Sequence, residues 1–100
     1  MVLEDKYDFE GMLINEAEKL VVQELGKQLE PYSKGPICLC EDCVFDMAAM
    51  ALNAVKPLYR VSLLGTLYAS HAMDETSYAK SVRLAVAEAI EKVRKNPSHD

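Results

Sequence analysis

The stretch GPICLCEDCVFD, residues 35–46, holds every cysteine of the chain, Cys38, Cys40 and Cys43, in the pattern C-x-C-x-x-C. Thiolates serve as metal ligands, as nucleophiles and as halves of disulfides, and spacing bears on each role. In C-x-C an extended or turning backbone can aim two sulfurs at one point. In C-x-x-C a knuckle running into a first helical turn brings a third to the same place. Three such thiolates suit Zn²⁺, which binds sulfur at about 2.3 Å and takes a tetrahedron completed by one further ligand. A structural zinc adds folding free energy that matters in a small domain, whose total stability is roughly 5–10 kcal/mol.

The rival chemistries fit less well. An odd number of cysteines leaves one thiol over in any disulfide framework. The first residues, MVLEDKYDFEGM, are acidic where a secretory signal would be positive and then apolar, so the expectation is a cytoplasmic protein, where structural disulfides are rare. A thiol redox switch would use the same residues: a helix N-terminus activates Cys40 or Cys43, and a bridge would join Cys38 or Cys40 to Cys43. Glu41 and Asp42 set negative charge beside these sulfurs and oppose that activation, which places metal ahead of redox. The fourth ligand is not evident: His71, the one histidine inside the folded part, is read first as an ordinary core or surface residue, His99 lies beyond Pro97 in a frayed tail, and Asp46 stands one turn after Cys43; water, a small ligand or another subunit are the remaining sources. Asp46 is read first as a carboxylate favoured at a helix start. No G-x-S-x-G, glycine-rich phosphate loop or H-E-x-x-H motif occurs, so no enzyme is expected.

The elements that must position the cysteines follow from periodicity. Over Glu10–Leu29, Ile14, Ala17, Val21, Leu25 and Leu29 form one helical stripe, widened by Leu13 and Leu20, with Asn15, Glu16, Glu18, Lys19, Gln23 and Lys27 on a solvated face. Val22 stands outside the stripe beside Gly26 and is read as an isolated exposed apolar residue. EPYSKGPI is a loop by its turn residues. EDCVFDMAAMALN then forms a helix that starts on acidic residues and closes at Asn53, and its lack of a polar face predicts a central element wrapped on most sides. Pro57 stops it. In LYRVSLLG, Tyr59, Val61 and Leu63 alternate with Arg60 and Ser62 as in a short extended arm ended by Gly65, and residues 66–73 suit another helical turn or two. After Asp74 as N-cap, Tyr78, Val82, Ala85, Val86, Ala89, Ile90 and Val93 define a long final helix with Glu88–Lys92 and Glu91–Lys95 pairs. The basic cluster Lys92, Arg94 and Lys95 is accounted for by the dipole at that helix end.

The fold class is therefore all-α: a small bundle of three principal helices with a short extended arm and a cysteine-rich zinc corner. One hundred residues suit a single domain over 1–100, with an ordered core about 10–95. No apolar run approaches the roughly 20 residues that cross a bilayer. A net charge of −5 argues against a broad grip on nucleic acid, which rests on Lys and Arg neutralising phosphates.

The string CLCEDCVFDMAAMALNAVKPLYRVSLLG resembles the late competence development protein ComFB family, whose members carry a C-x-C-x-x-C cluster, a following aspartate, an alanine-rich helix ending in A-L-N and a proline-plus-tyrosine arm. These features fall on Cys38, Cys40, Cys43, Asp46, Ala51, Leu52, Asn53, Pro57 and Tyr59. NEAEKLVVQEL before the cluster is similar too, so the resemblance spans about residues 12–65. The arm departs from it: many relatives have two prolines followed by a basic residue and tyrosine, whereas KPLYR has one proline and sets arginine after Tyr59. The resemblance implies a mainly helical, non-enzymatic homodimer with zinc on the cysteines. Some members look like receptors for cyclic dinucleotides, which here means cyclic di-GMP or cyclic di-AMP. A two-fold ligand with two phosphates and two bases suits a dimer groove offering a cation and a ring from each subunit, which nominates Lys56, Tyr59 and Arg60. Their plainer reading is a solvated lysine, a core tyrosine and a surface arginine. A plain interaction module of the competence machinery is the remaining alternative.

Overall fold

A computed structural model describes residues 1–61 and 76–97. Its elements in chain order are α1 (Phe9–Met12), β1 (Ile14–Asn15), α2 (Glu16–Leu29), α3 (Glu41–Ala54), β2 (Tyr59–Arg60) and α4 (Thr76–Lys95), with single 3-10 turns at Leu3–Asp5 and Glu30–Tyr32. The three long helices pack on one another, α3 most extensively on α4 and α2 across both. The expected Asp74 cap, the turns at 66–73, Leu63, Ser62 and Gly65 lie outside the described residues.

Two helices follow their apolar periodicity. α2 buries Ala17, Val21, Leu25 and Leu29, and α4 buries Val82, Ala85, Val86, Ala89, Ile90 and Val93. These stripes close on Cys43, Met47 and Ala51 of α3, with Ile37 and Val55 sealing the two ends of that helix, in a core without a buried polar side chain among the described residues. Gln28 ties α2 to α4 by donating to the Arg83 carbonyl at 3.1 Å. Lys92–Glu88 and Lys95–Glu91 pair along α4 at 3.1 and 3.7 Å, and Arg94 adds an unexpected bond to Glu91. Val22 is exposed, and the space beside Gly26 is open.

The first helix differs from the periodic expectation. Helix is not continuous from Glu10: it breaks between Met12 and Glu16, and Leu13 and Ile14 leave the stripe, Ile14 being 37% exposed. The cause lies in Asn15. Its side-chain oxygen caps α2 by accepting from Ala17 N–H at 3.1 Å and also accepts from Leu58 N–H at 2.7 Å. Glu16 N–H donates to the Leu58 carbonyl at 2.8 Å, and Ile14 and Asn15 pair antiparallel with Arg60 and Tyr59. Asparagine is a poor interior helix residue and a good cap, so pairing with the arm outweighs one more helical turn. Asn15 and Glu16, expected on the solvated face, are both partly buried instead.

A second correction concerns α3. It runs one residue past Asn53 to Ala54 and is not wrapped on most sides: Phe45 is 63% exposed, and Ala49, Met50, Asn53 and Ala54 are also on the surface. One apolar stripe suffices to fill a three-helix core, so the remaining apolar residues of α3 stay outside it.

Asn15→Ala removes the cap of α2 and the tether of the arm together. The expected loss is about 1–2 kcal/mol by urea denaturation, with Asn15→Asp, which keeps the acceptor, close to wild type. An unchanged unfolding midpoint for Asn15→Ala would refute the dual role.

Candidate metal centre

After α2 the chain turns through Glu30–Tyr32, with Pro31 in the first turn, and reverses at Gly35. Gly35 has φ +93°, a conformation that side chains disfavour, and its N–H donates to the Tyr32 carbonyl at 3.0 Å. The Gly35–Pro36 peptide is cis. Ile37 then enters the core. Burial of this one side chain fixes the backbone one residue before the first cysteine.

Cys38 and Cys40 are exposed, whereas Cys43 is 1% exposed and belongs to the core cluster. Cys40 is the N-cap of α3: its backbone is extended, its carbonyl accepts from Val44 N–H at 3.0 Å, and its Sγ accepts from Cys43 N–H at 3.5 Å. A cap residue and the third residue of the first turn face the same side, so the helix start carries two of the sulfurs and the anchored loop supplies the other. All three Sγ atoms lie within 4.8 Å of one another. Tetrahedral Zn–S bonds of about 2.3 Å set sulfurs roughly 3.8 Å apart, so small side-chain adjustments fit the set to one ion. The cluster is therefore able to coordinate a metal. Among the described residues the converging set is these three cysteines. Asp46, half-buried one turn on, is not part of it, and His71 and His99 lie outside the described residues.

The electrostatics favour thiolate at Cys38. Cys38 is a stronger acid than an ordinary thiol, chiefly through a hydrogen bond from the Cys40 backbone, then from the Cys40 thiol, with partial desolvation opposing and Cys43 helping. Because the folded value is depressed, deprotonation of Cys38 favours the fold. That contribution is complete above the ordinary thiol range and is lost as pH falls through the lowered value.

The arm distributes the other candidates differently. Tyr59 is 61% exposed rather than a core residue, and Lys56 is exposed, its carbonyl accepting from Tyr78 O–H at 2.7 Å. Burial raises the Tyr78 phenol above its usual range. Arg60 turns to the other face of β2 and donates from Nε to Glu16 Oε1. That side borders an open cleft of about 350 Å³ in which Glu10, Glu16 and Glu18 outnumber Lys19 and Arg60. The Arg60–Glu16 pair had no signature in the sequence, since its members stand 44 residues apart. Asn15 did have one: an asparagine before Glu16 and Glu18 is a helix-start pattern, overridden in the periodic reading by Leu13 and Ile14.

Residues 14–97 match the family described as late competence development protein ComFB. The chain belongs to the ComFB family. The solved structure of the late competence protein ComFB from Bacillus subtilis superimposes with a TM-score of 0.70 at 24% identity, covering 87% of this chain and 93% of that one. At that identity the likeness establishes the fold. No curated protein matches the chain. The family's description names late competence development and no catalysed reaction, in line with the expectation that the chain is not an enzyme.

In metal-free protein, alkylation of Cys38 followed against pH should show a midpoint below the ordinary thiol value of about 8.5. Cys40→Ala, which removes the thiol donor and leaves the backbone donor, should raise that midpoint part of the way. A wild-type midpoint equal to that of an unstructured peptide would refute the hydrogen-bond network.

Proposed function

We propose that this ComFB-family chain is a regulatory homodimer of the late competence system whose fold is fixed by one Zn²⁺ on Cys38, Cys40 and Cys43. The convergence of three sulfurs at the start of α3 carries the reading. Zinc supplies no reaction here; it cross-links the Gly35–Cys40 loop to the first turn of α3. Cys43 transmits that cross-link to the core through Met47 and Ala51, while Ile37 fixes the loop from the other side. A cytoplasmic, reducing setting suits thiolate ligands. No helix among the described residues is long and apolar enough to cross a membrane.

Homodimerisation finds support in the surface. Phe45 and Met50 on α3, and Leu84 on α4 at 59% exposure, are large apolar side chains that the single chain leaves in water. A second copy laid over such residues would complete the apolar surroundings that α3 lacks. The ligand we assign to the dimer is a cyclic dinucleotide, cyclic di-GMP or cyclic di-AMP, with Lys56 and Tyr59 providing a cation and a ring per subunit and Arg60 behind them. Arg60 would join only by leaving Glu16. That engagement favours the second reading, an interaction module in which zinc is a staple and no small ligand binds.

Native mass spectrometry of protein purified without chelator should show one zinc per chain, with a dimer as the main species. Cys43→Ser should lower Tm by many degrees and lose the metal. Calorimetric titration with each cyclic dinucleotide separates the two ligand readings: saturable heat abolished by Tyr59→Ala supports the receptor, and flat traces for both nucleotides leave the module. Absence of bound metal, together with an unchanged Tm for Cys43→Ser, would overturn the zinc assignment.

A further inference from the structure

The three sulfurs are not equivalent, and their differences define a chemistry beyond metal retention. Cys38 and Cys40 are both open to solvent, but Cys40 alone stands at the cap position of α3, three residues before Cys43, which is buried in the first turn of that helix. The Cys43 N–H already points at Cys40 Sγ, 3.5 Å away. A cap residue and the residue three positions on bring their α-carbons within the range that a disulfide spans, whereas the C-x-C pair would close a much smaller ring. An exposed sulfur with a shielded neighbour one turn along a helix is the arrangement of a peroxidatic and a resolving thiol.

We propose that Cys40 and Cys43 form an oxidation-sensitive pair within the metal cluster, with hydrogen peroxide as the oxidant and a Cys40–Cys43 disulfide as the product. The Cys40 thiolate attacks one peroxide oxygen: an S–O bond forms, the O–O bond breaks, and hydroxide leaves. The Cys43 sulfur then attacks the Cys40 sulfenic acid, forming the S–S bond and expelling a second hydroxide. Two protons from solvent convert both hydroxides to water. Two sulfurs are oxidised by one electron each, and the peroxide is reduced by two. Disulfide sulfurs no longer carry the charge that holds Zn²⁺, so Cys38 is left as the sole thiolate and the ion departs. The consequence for the metal rests on the zinc assignment above; the identity of the bridged pair does not.

The sequence provides a clean test. Cleavage after glutamate separates Cys38 and Cys40, in the fragment ending at Glu41, from Cys43 in the fragment that follows. Zinc-loaded wild-type protein is treated with stoichiometric hydrogen peroxide, alkylated after denaturation, cleaved and mapped by mass spectrometry, while a chromogenic chelator follows released zinc. Expected are the two fragments joined through Cys40 and Cys43, an alkylated Cys38, one zinc released per disulfide, and recovery with dithiothreitol. Cys38→Ser should still form the bridge; Cys43→Ser should not, and should stop at oxidised Cys40. A bridge within the Glu41-terminated fragment, a bridge between two chains, or three thiols intact would each overturn the proposal. Protein that carries no zinc at the outset but still yields the linked fragments would remove the metal assignment and keep the redox pair.

Discussion

Cys43 belongs to two structures at once, and the rest of the fold is arranged around that fact. Its side chain fills the core with Met47 and Ala51, and its sulfur completes the cluster with Cys38 and Cys40. The helix that the core needs is therefore also the helix whose first turn carries the cluster. Helix initiation fixes several residues for one hydrogen bond and is unfavourable by itself. At α3 the Cys40 cap and the Ile37 anchor lower that cost from both sides of the first turn. A metal bound there would act on nucleation directly, which is where a small domain gains most from a cross-link.

The opposite end of the bundle uses hydrogen bonds for the same purpose. Asn15 caps α2 and holds Leu58, while Tyr78 of α4 reaches the Lys56 carbonyl. The segment from Val55 to Arg60 is tied to two helices before it emerges as β2. This polar stitching decides which side chains face water: Tyr59 outward, Arg60 inward against Glu16. The exposed side chains of the arm thus stand on a hydrogen-bonded backbone, with Arg60 engaged by Glu16.

Between the two ends, α3 keeps apolar residues in excess of what the single-chain core consumes. Phe45 and Ala49 on its open face, and Met50 at the edge of a cleft shared with α4, give the helix apolar surface that the single-chain core leaves exposed. Open apolar surfaces of this kind are where a small domain meets other molecules.

Local chemistry was legible in the residues themselves. The stripe Ala17–Val21–Leu25–Leu29, the longer one from Val82 to Val93 and the helix-entering cysteine knuckle each depend on neighbours within a turn or two, so spacing alone determined them. The same periodicity extended α2 through Leu13 and Ile14, where it failed, because the winning partner of Asn15 is Leu58, 43 residues away. It also wrapped α3 too completely, since a hydrophobic sequence states which residues prefer to leave water but not how much neighbouring surface exists to cover them. Side-chain pattern set the helices and the sulfur trio. Only packing in three dimensions could choose which polar groups meet across long loops, because those energies exist only once distant segments are already side by side.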